Sequence, residues 1–107
     1  MKTYTDLTEI QQIIAASPMA ILVSKTSSCG VCESVAAKID ELLPQYPKVT
    51  GIISYMEQVP ALASEYLIFS APTVILFVEG KEVYRESRFV KMGELHRQLQ
   101  KWSEALT

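Results

Sequence analysis

The run T-V-I-L-F-V at residues 73–78 carries no polar side chain after its first residue. A strand with one face in water alternates apolar and polar positions; this one does not, so the pattern predicts a central strand covered on both faces. M-A-I-L-V-S, residues 19–24, is a second run of the same kind. A sheet covered on both faces needs helices on each side, and the segments between these runs carry helical spacing. At 107 residues, 49% hydrophobic and 21% charged, the chain has enough apolar content to fill such a core.

T-D-L-T-E-I-Q-Q-I-I-A-A-S opens with a capping box, Asp6 to Glu9, and places Leu7, Ile10, Ile13 and Ile14 at helical spacing until Ser17-Pro18 stops it. From Gly30 a second helical pattern, Val31, Val35, Ile39 and then Leu42 or Leu43, runs to Pro44, so Cys29 lies where that helix begins. Residues 48–56 read as another buried strand, and residues 57–67 as a helix with Val59, Leu62, Ala63 and Tyr66 on one face. The apolar run at 73–78 is joined by a tight turn at Glu79-Gly80-Lys81 to a strand that alternates as an edge does. Leu95, Leu99, Trp102 and Leu106 form the stripe of a last helix, with Trp102 expected in the core and His96 off the stripe, in solvent. No repeat or linker-like tract interrupts the chain, so a single domain over residues 1–107 is expected.

Ten basic and twelve acidic residues give a net charge of -2 with no basic stripe, which argues against a nucleic-acid partner. The apolar segment at 13–23 follows Asp6 and Glu9 and contains Pro18, unlike a signal sequence, and no run approaches the ~20 residues that span a bilayer. A cytoplasmic, membrane-free protein is expected, and in that compartment a structural disulfide is out of place.

Both cysteines lie in S-K-T-S-S-C-G-V-C-E-S, residues 24–34. Taken alone, C-G-V-C allows a redox pair, part of a metal site, or two small core residues. A closed zinc site wants four ligands, against two thiols and the one imidazole of His96. At a helix N-terminus, unpaired N–H groups and the positive dipole end favour a thiolate at Cys29, and one helical turn brings Cys32 within reach of a disulfide. Position thus makes Cys29 the nucleophile and Cys32 the resolving thiol.

The order of elements, the C-x-x-C placement, S-A-P-T-V-I-L-F-V-E-G and the Gly93-Glu94-Leu95 entry to the last helix together resemble the thioredoxin family over nearly the whole chain. The resemblance implies an α/β thioredoxin fold, a central mixed sheet of four or five strands flanked by four helices on both faces. It implies a cis peptide at Pro72 facing the cysteines, and a docking rim for an extended target made by Gly30, Val31, Ala71 and Pro72, with Phe89 beside them. The implied activity is thiol–disulfide exchange that reduces protein disulfides, as a monomer without metal or other cofactor. Electrons would come from a separate reductase or a low-molecular-weight thiol. The alternative it leaves is a binding or adaptor module on the same fold, with weak turnover or none.

Four single positions and one short segment depart from the family pattern. Ser28 replaces a tryptophan, Val31 a proline and Glu33 a lysine, the last adding negative charge expected to oppose a thiolate. Ser24 stands where the family buries an aspartate, and Ser87-Arg88-Phe89 falls where it often has a glycine. Lys25 could partly compensate by favouring the thiolate, but it is expected instead to snorkel, its head in water.

Overall fold

The computed structural model describes residues 1–106. In chain order its elements are β1 (Lys2–Thr3), α1 (Leu7–Ala16), β2 (Met19–Lys25), α2 (Gly30–Leu42), a 3-10 turn (Leu43–Gln45), β3 (Val49–Tyr55), α3 (Pro60–Tyr66), β4 (Thr73–Val78), β5 (Lys81–Ser87) and α4 (Met92–Ala105). The strands form one sheet in the order β1-β3-β2-β4-β5. β2 lies parallel to β3 and antiparallel to β4, so the sheet is mixed, with the two apolar runs side by side at its centre.

Alternation within those runs divides the interior in two. Met19, Ile21 and Val23 of β2 join Val74, Leu76 and Val78 of β4 beneath α2 and α4, where Val35, Ile39, Leu95 and Leu99 close the core. Ala20, Leu22, Ile75 and Phe77 point the other way, to Ile10 and Ile14 of α1, Leu62 of α3, and Val59 and Ile68 flanking α3. Each central strand therefore belongs to both cores.

Local chemistry fixes the ends of these elements. Asp6 caps α1 by accepting the Thr8 N–H at 3.2 Å, and Ser17 ends it with its N–H and hydroxyl both on the Ile13 carbonyl. The β4–β5 turn holds Glu79 at φ 50° and Gly80 at φ 80°, both positive, as the twist of a tight hairpin requires.

Several expectations need correcting. α3 starts at Pro60 rather than near residue 57, because the N–H groups of Gln58 and Val59 fold onto the Tyr55 carbonyl and Pro60 opens the helix. Leu67, at φ 54°, ends it. Lys25 does not reach water: it is buried, with 4% of its side chain exposed. His96 is half-buried, its ring packed edge-on against buried Tyr46 at 5.6 Å between centroids. Among the described residues no helix is long and apolar enough to cross a membrane.

Candidate active site

Strand pairing gathers the candidate residues at one end of the sheet. Ser24 in β2 pairs with Thr73 in β4, and Thr73 with Ser87 in β5. The segment leaving β2 toward Cys29, the segment entering β4 through Ala71-Pro72, and the segment leaving β5 through Arg88 and Phe89 thus share one edge. The Arg88 N–H donates to the Pro72 carbonyl at 2.7 Å and ties the last two together. Residues far apart in sequence are neighbours here because the central strands run antiparallel.

Cys29 and Cys32 are disulfide-bonded, with Cα atoms 5.3 Å apart. Cys29 is the N-cap of α2: it has extended backbone, and its Sγ accepts the Cys32 N–H at 3.2 Å. A sulfur in that position already receives the help from free helix N–H groups that a thiolate needs. Cys29 is half-buried and Cys32 fully buried, so an incoming group can reach only the first.

Two side-chain ties hold this helix start. Lys25, the last residue of β2, donates from Nζ to Glu33 Oε1 at 2.7 Å and lies over the Tyr55 ring, 5.1 Å from its centroid. Burial pushes the Lys25 pKa down, but its interactions with Glu33 and Tyr55 push harder the other way, and the net shift is upward. Glu33 is therefore paired with a buried ammonium, so the negative charge it brings next to Cys32 comes together with a positive one. In the preceding loop, the N–H and hydroxyl of Ser27 both donate to Glu57, and the hydroxyl bond first of all holds that carboxyl below the usual range.

Beneath the site a row of hydroxyls crosses four strands: Ser54, Ser24, Thr73 and Ser87, each opposite the next. Thr73 Oγ1 bonds the Ser70 carbonyl at 2.7 Å and lies 3.3 Å from Ser87 Oγ. Ser24 and Ser54 are completely buried, and neither hydroxyl has a hydrogen-bond partner among the described residues. Among the described residues no carboxylate side chain is buried there in place of Ser24.

The rim is apolar. Val31 and Phe89 are 57% and 82% exposed, while Gly30 is exposed, Ala71 half-buried and Pro72 buried. The Ala71–Pro72 peptide is cis, and the backbone N–H and carbonyl of Ala71 make no backbone hydrogen bond among the described residues. Phe69, two residues before Ala71 on the loop leading to Pro72, is 83% exposed, a feature that sequence reasoning misses. Arg88 holds φ 67°, a left-handed conformation that suits glycine better than arginine. Among the described residues no group of three or more His, Cys, Asp or Glu side chains converges to hold a metal.

Comparison with known proteins follows the same lines. The family model described as Thioredoxin matches residues 2–101. The chain is 32% identical over 93 residues to "Thioredoxin-like protein slr0233" of Synechocystis, a match covering 83% of this chain and 87% of that one. It is 26% identical over 95 residues to "Thioredoxin-like protein YdfQ" of Bacillus subtilis, covering 89% and 85%. Among solved structures, a mutant thioredoxin from Halobacterium salinarum superposes with a TM-score of 0.86 at 19% identity, covering 94% of this chain and 88% of that one. A Plasmodium falciparum thioredoxin gives 0.85 at 23% identity, covering 94% and 98%. At these identities the structural likeness is one of fold.

Proposed function

We propose, from the premise that this chain belongs to the thioredoxin family, that its Cys29–Cys32 pair reduces disulfide bonds in other proteins. The fold is the thioredoxin fold and the chemistry is that of a thiol–disulfide oxidoreductase. The observation that carries the finer reading is the asymmetry of the pair: Cys29 is reachable at a helix N-terminus, and Cys32 is sealed one turn inside.

The reduced protein begins a cycle with Cys29 as thiolate. It attacks one sulfur of the target disulfide; a mixed disulfide forms, and the other target sulfur leaves as a thiolate that takes a proton from water. Cys32 then loses its proton and attacks Cys29 Sγ, which restores the intramolecular disulfide and frees the second target thiolate. The target gains two electrons and this protein loses two. A separate dithiol reductase or a low-molecular-weight thiol returns them, and no bound cofactor takes part.

Gly30, Val31, Ala71 and Pro72 line the docking site in this reading, with Phe89 widening it. An extended target strand would bond the free backbone groups of Ala71, in the manner of strand addition to a sheet edge. The proposal extends to a single domain over residues 1–107, a monomer working in the cytoplasm to maintain its thiol balance.

Reduced protein should cleave insulin disulfides, Cys29→Ser should not, and Cys32→Ser should accumulate mixed disulfides with client proteins that a reductant releases. If the Cys29→Ser protein matches wild type, or Cys32→Ser captures nothing, the reading fails. Capture that survives loss of both cysteines would instead favour an adaptor.

A further inference from the structure

Among the described residues Lys25 is the only buried charged side chain. Taking an ammonium out of water is costly unless a partner compensates, so such a residue marks a place where the fold holds a charge on purpose or by constraint. Its partner is not buried: the Glu33 side chain is 65% exposed. The carboxylate comes from the first turn of α2, and the ammonium comes from the end of β2 and lies over the Tyr55 ring. The same turn carries both sulfurs, since Cys32 directly precedes Glu33 and Cys29 caps the helix. The charged and titratable groups around the ammonium are Glu33 from α2 and Tyr55 from β3; Glu57, just past β3, is occupied by Ser27.

We propose that Lys25 is the positioning residue that sets the charge of the reduced pair, its ammonium favouring the Cys29 thiolate while Glu33 limits the effect. This deepens the dithiol reading and rests on it. Reduction of the disulfide consumes two electrons and one proton, leaving a thiolate on Cys29 and a thiol on Cys32; the electrons come from a donor dithiol that closes to its own disulfide. A nearby positive charge favours that anionic product and a nearby negative charge opposes it. Lys25 and Glu33 therefore act on the thiolate with opposite signs, although they form a single ion pair.

That opposition separates an electrostatic role from a structural one. If the pair merely braced the helix, breaking it from either side would disturb the site in the same direction. Lys25→Met replaces a buried ion with an apolar chain of similar length, so folding is expected to survive, and a thermal melt checks it.

The test is the rate at which iodoacetamide alkylates Cys29 in the reduced full chain, followed against pH and resolved from Cys32 by mass spectrometry. Lys25→Met should move the midpoint to higher pH and slow alkylation at weakly acidic pH about fivefold, with Lys25→Arg restoring most of it. Glu33→Gln should move the midpoint the other way. Equilibration against a glutathione series should show Lys25→Met more reducing than wild type, because its reduced form is less stabilised. A Lys25→Met profile that overlays wild type overturns the proposal, as does a Glu33→Gln shift in the same direction as Lys25→Met. Should Cys32→Ser capture no client while these opposed shifts appear, the protein-substrate reading falls and this one stands.

Discussion

Ser24 and Ser54 stand opposite each other on neighbouring strands, both at 0% exposure, with neither hydroxyl bonded among the described residues. A buried hydroxyl without a partner forfeits about 1–3 kcal/mol of hydration and recovers nothing, whereas a bonded one is worth about 1 kcal/mol. Ser24→Ala and Ser54→Ala should therefore be neutral or stabilising by up to about 1 kcal/mol in urea unfolding, while Thr73→Val, which breaks the bond to Ser70, should cost about 1 kcal/mol. A loss of that size in both serine variants would show that some group bridges them and would refute the reading. At this scale the sequence is unevenly legible. C-G-V-C at a helix start is plain, because spacing along one chain reports the first turn of a helix. The depth of Lys25 is not, because a lysine at a strand end looks the same whether its partner is water or a carboxylate eight residues on. Phe69 escapes for a related reason: an aromatic in a loop looks the same in the sequence whether its ring is packed inside or, as here, 83% exposed.

Arg85 of β5 serves a helix to which it does not belong. Its guanidinium donates to the carbonyls of Tyr66 and Leu67 at 2.8 and 3.1 Å, capping the last turn of α3, and it also pairs with Glu82. The bonds to backbone carry the larger share, since an ion pair this open to water is worth little. Arg85→Met should lose about 1–2 kcal/mol and Glu82→Gln less than about 0.5 kcal/mol in denaturant melts; equal losses would place the weight on the ion pair. The Arg85 hydrogen bond is also the main reason the Glu82 carboxyl titrates below its ordinary 4.5. A depressed folded-state value contributes stability that is present above 4.5 and lost as pH falls through the lower value, so Glu82→Gln should flatten the acid limb slightly. α1, α2 and α4 are legible from their apolar period, and the two central strands from their unbroken apolar runs. The two residues of β1 are not, because a pairing of Lys2 and Thr3 with Ile52 and Ile53 is too short to show any period. The start of α3 is hidden because apolar spacing continues through Val59, and only Pro60 at the first helical position marks the true boundary.

The sheet couples the two halves of the molecule. Leu62 of α3 is 1% exposed in the core beneath α1 and α3, while Trp102, the only tryptophan, packs from α4 against the opposite core. No side chain needs to cross between them, because the unbroken run in β4 sends Ile75 and Phe77 to one side and Val74, Leu76 and Val78 to the other, as β2 does with its own residues. Loosening one face frees the strands that hold up the other. Leu62→Ala should cost about 2–5 kcal/mol, and its unfolding transition should be the same by Trp102 fluorescence and by far-UV circular dichroism, although the tryptophan lies across the sheet from the cavity. Leu99→Ala, in the core that Trp102 touches, should shift both signals together in the same way. If Leu62→Ala displaced the dichroism transition and left the fluorescence transition in place, the faces would be melting separately, and the doubly buried strands would not be the joint that makes this a single cooperative unit.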